Sequence, residues 1–356
     1  MLHKKVFANV VTGGGMKITI KEVANAANVS ISAVSLAFNN KPGVSKKTKA
    51  KILQVAHDMG YDLKVKNKSQ KSEQIVKILK IMRHGHTINC NHNFFIDAYI
   101  DAINSIAHKG ITIEIGTYNI DIPIDEIADL MVNAPPIKGY LILGTELSSE
   151  DVLTLLKTGR NIVFMDTFLD YIPADFVDMN NTDAVYKIIS YLQSNGHNKI
   201  GLIKSSVHTR NFHLREQAFY QVMKHLGLKS HREYVIDVDS TFTGAYQDMT
   251  KYLDGSPQLP TAFFAINDII ALGSMKALQN KGYNIPDQIS IAAFDNLPMA
   301  TMVSPALTSI DVSKHKIGQN AIAMLLSKSG HNECSPPMKI LIGGEFIERD
   351  SVKNIT

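Results

Sequence analysis

The chain has no tryptophan and only two cysteines in 356 residues. It also has no apolar run approaching the roughly 18 to 20 residues that a membrane helix requires. Cys90 and Cys334 stand far apart and form no CxxC pair, which argues against a disulfide framework and a standard structural zinc site. The opening residues lack the apolar core of a secretory signal, so the expectation is a soluble, cytoplasmic protein with no membrane partner. There is no G-x-S-x-G, no P-loop and no G-x-G-x-x-G, and TGGGMK has neither the spacing nor the strand-helix context of a phosphate loop. No enzyme, no catalytic residue and no cofactor is therefore expected. RHGHTINCNH gathers His84, His86, Cys90 and His92, yet at no standard zinc spacing, so no metal site is expected either.

What is present is unevenly distributed. The whole chain carries a net +4, but residues 16–72 hold eleven lysines against Glu22, Asp58 and Asp62, a net of +8. With Lys4 and Lys5 counted, residues 73–356 carry −6. A small basic head on an acidic body points to a polyanion as the head's partner. Residues 1–15, MLHKKVFANVVTGGG, match neither part and are expected to be a non-native or disordered leader, with Met16 as the natural start.

The head reads as three short helices. Thr19 and Glu22 form a T-x-x-E capping box, Val23, Ala24 and Ala27 give a narrow inner face, and Asn28 suits a left-handed helix end. Ser30 caps a second helix with Val34 and Phe38 inward. Ser45 caps a third with Ile52, Val55, Ala56 and Met59 inward. A three-to-four-residue turn between the first two makes a helix-turn-helix unit, whose second helix lies in the DNA major groove. Ile31, Ser32, Ser35 and Leu36 are then placed to reach base edges, and Thr19, Ser30, Asn39 and the third helix's lysines to reach phosphates.

From Ile18 to Tyr61 the order I-T-I-K-E-V-A-x-x-A-x-V-S-x-x-x-V-S, then NNKPGVSKKTKAKILQVAHDMGY, resembles the head of the lactose-repressor/galactose-repressor family of bacterial transcription regulators. The resemblance implies a homodimer reading an inverted-repeat operator in double-stranded DNA, one head per half-site. Two departures stand out. Leu36 occupies a position where the family usually carries Arg, and DLKVKNKSQKSEQ replaces the usual hinge helix, with Leu63 for Pro and Gln70 for the leucine that wedges the minor groove.

Beyond Ile75, short β-branched runs alternate with helical patterns: IVKILKIM, ITIEIGTY, IKGYLIL, NIVFMD, KIGLI, YVIDV, AFFAI and ISIAAFD, with helices between. This predicts an α/β body of two doubly wound parallel-sheet subdomains. The expected domains are a head at 16–62, a hinge at 63–74 and a two-lobed body at 75–356. Its N-lobe takes about 75–178 and 312–332, and its C-lobe about 181–309 and 338–352. Polar residues gather at strand carboxyl ends, where ligands bind such sheets: Asp166, Arg215, Asn267, Asp268, Asp295 and Asn296. Carboxylates, an amide and a guanidinium suit a polyhydroxylated molecule, with Phe94 or Phe95 covering the apolar face of a sugar ring.

AINDIIALGSMKAL, IPDQISIAAFDN, SPALTSI and IERDS are similar to the same family's body motifs, and its body resembles a periplasmic-binding-protein fold. The resemblance places Arg215, Asn267 and Asp295 on effector-binding positions. The expected effector site is thus Phe95, Asp166, Arg215, Asn267 and Asp295, holding most simply a carbohydrate. The residues leave open a nucleobase or other non-sugar metabolite. A solute-binding protein without a DNA function is the other class with such a body; it would carry an export signal and no basic head.

Overall fold

A computed structural model describes residues 19–38, 43–59, 75–87, 93–107, 110–328 and 336–356. The expectations for the 1–15 leader, Asn39, Leu63, Gln70, Cys90 and His92 lie outside the described residues, as do the side chains of Phe94 and Phe95. The chain divides into two compact units, Met1–Lys71 and Ser72–Thr356.

In the first unit, α1 spans Ile20–Ala27, α2 Ile31–Phe38 and α3 Lys46–Asp58. Both halves of the capping box form: Glu22 N–H donates to Thr19 Oγ1, and Thr19 N–H donates to Glu22 Oε2 at 2.6 Å. Asn28 ends α1 at φ 54°, where its short polar side chain is tolerated. Ser30 Oγ accepts from Ala33 N–H at the start of α2, and Ser45 Oγ from Thr48 N–H at the start of α3. The core is small: Val23, Ala24, Ala27, Val34, Ala37, Ile52 and Ala56, flanked by Val29, Phe38, Val44, Val55 and Met59.

The second unit holds two six-stranded sheets. The first contains β1 (Ile75–Ile81), β2 (Thr112–Tyr118), β3 (Gly139–Leu143), β4 (Ile162–Met165), β5 (Asp175–Met179) and, from far along the chain, β11 (Lys339–Ile342). Its order is β11-β5-β4-β3-β1-β2, every pairing parallel. The second contains β6 (Ile200–Ser205), β7 (Val235–Val238), β8 (Ala262–Ala265), β9 (Ser290–Asp295), β10 (Thr308–Asp311) and β12 (Glu345–Ile347), in the order β12-β10-β9-β8-β6-β7. Only β12 among them runs antiparallel, against β10. Helices α4 (Asn93–Ala107), α5 (Ile124–Asn133), α6 (Ser149–Leu156) and α11 (Lys314–Ser327) belong to the first lobe. Helices α7 (Asn181–Ser194), α8 (Arg210–His225), α9 (Phe242–Asp254) and α10 (Asp268–Asn280) belong to the second. Strands β3, β4 and β8 are buried along their whole length, which is why they read as apolar runs.

The chain passes between lobes three times, at 179–181, 311–314 and 343–344. The first lies at the expected lobe boundary, 178–181, and the second begins within the expected one, 309–312. The third requires a correction: residues 338–342, expected in the C-lobe, pair as β11 with β5 in the first sheet, and only from Glu345 does the chain rejoin the second. Gly344 allows that passage, because a Cβ there would lie 2.6 Å from Ile310 Cγ2 and 3.0 Å from Asp311 O.

Candidate functional site

The head presents an outer face on α2. Ile31, Ser32 and Ser35 are exposed, Ile31 to 51%, while Val34 and Ala37 turn inward. Leu36 is half-buried and lies against the turn at Gly43, where a Cβ would come within 3.1 Å of its Cδ1. Some of the polar capacity expected for phosphates is already in use. The Thr19 hydroxyl donates to Glu22 Oε2 at 2.9 Å, and Ser30 Oγ shares a hydrogen bond with Ser32 Oγ while capping α2.

In the second unit, the carboxyl ends of both sheets face a shared cleft. A cavity of about 30 Å³ lies there, lined by Thr87, Thr145, Asp166 and Met179 of the first lobe and Thr209, Asn211, Phe212, Arg215 and Asp295 of the second. That is room for a water or two. The lobes touch across it: Arg210 Nε donates to Phe168 O at 2.8 Å and its Nη2 to Asp170 at 2.6 Å, and Asn211 Nδ2 donates to Asp166 O at 3.1 Å.

Arg215 is the cleft's central cation, with its side chain 3% exposed. Nε donates to Asn181 Oδ1 at 3.0 Å, Nη1 to Ile266 O at 2.9 Å, and Nη2 reaches Met179 Sδ at 2.9 Å. Nη1 also pairs with Asp295 Oδ1 at 3.3 Å, and the guanidinium lies 3.7 Å above the Phe294 ring. Asp166 and Asp295, at the ends of β4 and β9, adopt φ 59° and φ 112°, a region that a residue with a Cβ occupies only at a cost in strain. Burial pushes the Asp166 carboxyl up to about 6, with Asp295's charge adding to the shift and Thr145 and Arg215 opposing it. Behind it Asp178, wholly buried, is pushed up to about 8 by burial and then by Asp166's charge. Burial raises Asp295 as well, against the pull of Arg215 and Lys314.

Of the expected effector residues, the structure thus brings Asp166, Arg215 and Asp295 together. Asn267 does not line this cavity: its Oδ1 accepts from Ile270 N–H and caps α10. Asp268 is likewise a fixing residue, accepting from Leu297 N–H and Ser309 Oγ, and burial raises its carboxyl to about 7. Among the described residues, no group of His, Cys, Asp and Glu is placed to hold a metal ion, and no helix is long and apolar enough to cross a membrane.

Residues 19–62 match the family described as "Bacterial regulatory proteins, lacI family", and residues 189–352 match "Periplasmic binding protein-like domain". The chain thus carries a head of the lacI regulatory family and a periplasmic-binding-protein-like domain. Among curated relatives it is 27% identical over 310 residues to the transcriptional repressor CytR of Escherichia coli K12, covering 87% of this chain and 89% of that one. It is 28% identical to the repressor PurR of Pasteurella multocida, covering 94% and 99%. The lac repressor dimer bound to operator and anti-inducer superposes with a TM-score of 0.70 at 20% identity, covering 95% and 100%. The CelR–cellobiose complex gives 0.68 at 19%, covering 94% and 99%. That head and body, with relatives that are repressors, support a transcriptional repressor of the lacI type with an effector-binding, periplasmic-binding-like domain.

Several residues of the cleft escaped the sequence reading: Thr87, Thr145, Met179, Thr209, Asn211 and Phe212. Thr145 and Glu146 lie two and three residues beyond β3, where Asp166 directly follows β4, so the strand-end signal that found Asp166 reaches them if the loop after the strand is included. Asn211, in the first turn of α8, reads in sequence as an ordinary helix-start residue.

Proposed function

We propose that the chain is a homodimeric repressor that holds an inverted-repeat operator with two heads and changes its grip when a small carbohydrate occupies the body's cleft. The observation that carries the effector half is the meeting of Asp166, Arg215 and Asp295 from two lobes around one cavity. A ligand that touches both lobes stabilises one lobe arrangement over another. Coupling to DNA follows if its affinity for the two arrangements differs. A cavity of about 30 Å³ is far smaller than a sugar ring, so entry requires the lobes to part and the Arg210–Asp170 pair to open. Phe95, on α4, is proposed to cover the ring's apolar face.

For the head, the proposal places Ile31, Ser32, Ser35 and Leu36 against bases and Thr19, Ser30 and Asn39 toward phosphates. Leu36 offers a thymine-methyl contact in place of an Arg–guanine pair. The exposed, uncharged outer face of α2 supports direct reading of the groove. The test joins both halves. Sugars are screened by thermal shift, and operator affinity is measured by fluorescence anisotropy with each hit. At least one sugar is expected both to raise the body's Tm and to change operator affinity. A sugar set that shifts neither, with a nucleobase shifting both, would replace the carbohydrate reading by the nucleobase one.

A further inference from the structure

Most of the means by which this cleft could hold an anion are already taken by the protein's own acceptors: carbonyls, an amide, a thioether and carboxylates. Arg215 gives its N–H groups to Asn181, Ile266 O, Met179 and Asp295. Arg210 is held by Phe168 O and Asp170. Lys314 Nζ donates to the carbonyls of Asp295 and Val312. The loop after β1 forms a third anion cradle, because the N–H groups of Arg83, His84 and Gly85 converge on one oxygen at 2.8, 3.0 and 2.9 Å. That oxygen is Oε2 of Glu146, whose side chain is fully buried; Thr87 N–H and Oγ1 donate to its Oε1 at 2.9 and 2.8 Å.

Two of the three threonine hydroxyl protons at the cavity are committed in the same sense; the third hydroxyl, that of Thr209, accepts from Phe212 N–H. Thr87 donates to Glu146 and Thr145 donates to Asp166, so both turn lone pairs rather than protons toward the cavity they line. Asn211 Nδ2 is directed at Asp166 and Asp178. What the described walls still offer is largely acceptor capacity: the carboxylates of Asp166 and Asp295, and two threonine oxygens. Asp295 Oδ1 is buried, faces Arg215 at 3.3 Å, and makes no hydrogen bond.

We propose that the cleft selects its effector by charge: it takes a molecule rich in O–H or N–H donors and without negative charge, and it rejects uronates, sugar phosphates and nucleotides. The inference rests on the effector reading above and narrows it. Above about pH 6, where Asp166 is ionised, a carboxylate or phosphate placed there would meet the Asp166 and Asp295 carboxyl groups in a poorly solvated site, where like charges repel far more than in water. A hydroxyl or amino group would meet Asp295 Oδ1, which accepts no hydrogen bond, and the remaining lone pairs of Asp166.

The test is isothermal titration of the full chain with matched pairs: glucose against glucuronate and glucose 6-phosphate, ribose against ribose 5-phosphate, adenosine against AMP, and cytidine against CMP. At least one neutral member is expected to bind, with its charged partner roughly tenfold weaker or worse. In Asp166→Asn the ratio for that pair should narrow by roughly tenfold, since the amide keeps the acceptor for Thr145 and removes the charge. Asp295→Asn provides the same reading if the first variant does not fold. A charged member that binds more tightly than its neutral partner overturns the charge rule and leaves the effector reading standing. Both variants weakening neutral and charged members alike, with the ratio unchanged, also overturns it. Silence from every member, with operator binding intact, removes the carbohydrate and nucleoside readings and the charge rule with them.

Discussion

The head and the body solve the same problem, holding a polar site in place, in opposite ways. Among its described residues the head has seven buried side chains, all apolar, and it carries its candidate base-reading residues on one helix, mostly exposed. The body has extensive apolar cores but builds its site from buried polar groups, with Asp166, Asp178, Asp268, Asp295 and Arg215 enclosed together. An exposed site costs little to maintain and can change residue by residue. A buried charged site is tied to the stability of the lobes that enclose it.

The largest effect should come from breaking that tie. Arg215→Met leaves Asp295, Asn181 and the Ile266 carbonyl without their cation, and removing one partner of a buried pair costs roughly 3–5 kcal/mol. Urea unfolding of the body should show the loss; a change below about 1 kcal/mol would mean that surface-like energetics govern the cleft too. Next is the head. Ile52→Ala should cost roughly 2–4 kcal/mol. With so small a core this should abolish operator binding, whereas the body's calorimetric transition stays where it was. A lowered body transition would show that the two units do not melt independently.

The third prediction concerns pH. In the unfolded chain these carboxyls ionise near about 4. Asp166, Asp268 and Asp178 are raised in the folded body to about 6, 7 and 8. Between those limits the folded state holds the extra protons, so their contribution to stability is present in acid and is lost as pH rises through the window. The body's Tm should therefore fall between pH 5 and pH 8 (roughly the span of these shifts), and Asp178→Asn should flatten the upper part of the fall. An identical profile in wild type and variant would show that Asp178 does not titrate there. The smallest effect is expected at the head's first turn. Thr19→Ala removes the capping box at a cost of about 1 kcal/mol, read as a lowered head Tm with an unmoved body transition.

Legibility in the sequence followed the same division. The head's caps and inward faces were readable from spacing alone, because each depends on residues three or four apart. Most of the body's strands were readable as apolar runs. Strand β5 was not, since Asp175 and Asp178 interrupt DFVDM; the structure accommodates Asp175 by pairing it with Lys328 at 2.6 Å and Met338 N–H at 2.7 Å. At the cleft, Asp166, Arg215 and Asp295 stood out beside strand ends. The Glu146 cradle did not, because its five donors are loop groups some sixty residues away, and no local period records that approach.

The three passages between lobes also set a timetable for synthesis. The first lobe begins at Ile75 but takes α11 and β11 from residues 314–342, so its sheet lacks an edge strand until nearly the whole chain has left the ribosome. The second lobe, started later, needs only β12 and the closing residues beyond that point. The head, complete within the first sixty residues, can form while the body is still being translated. A nascent chain would thus meet DNA with a finished head before it has a finished cleft. A stop anywhere before residue 339 would leave both lobes without a strand, so no single cut yields either lobe as a continuous fragment.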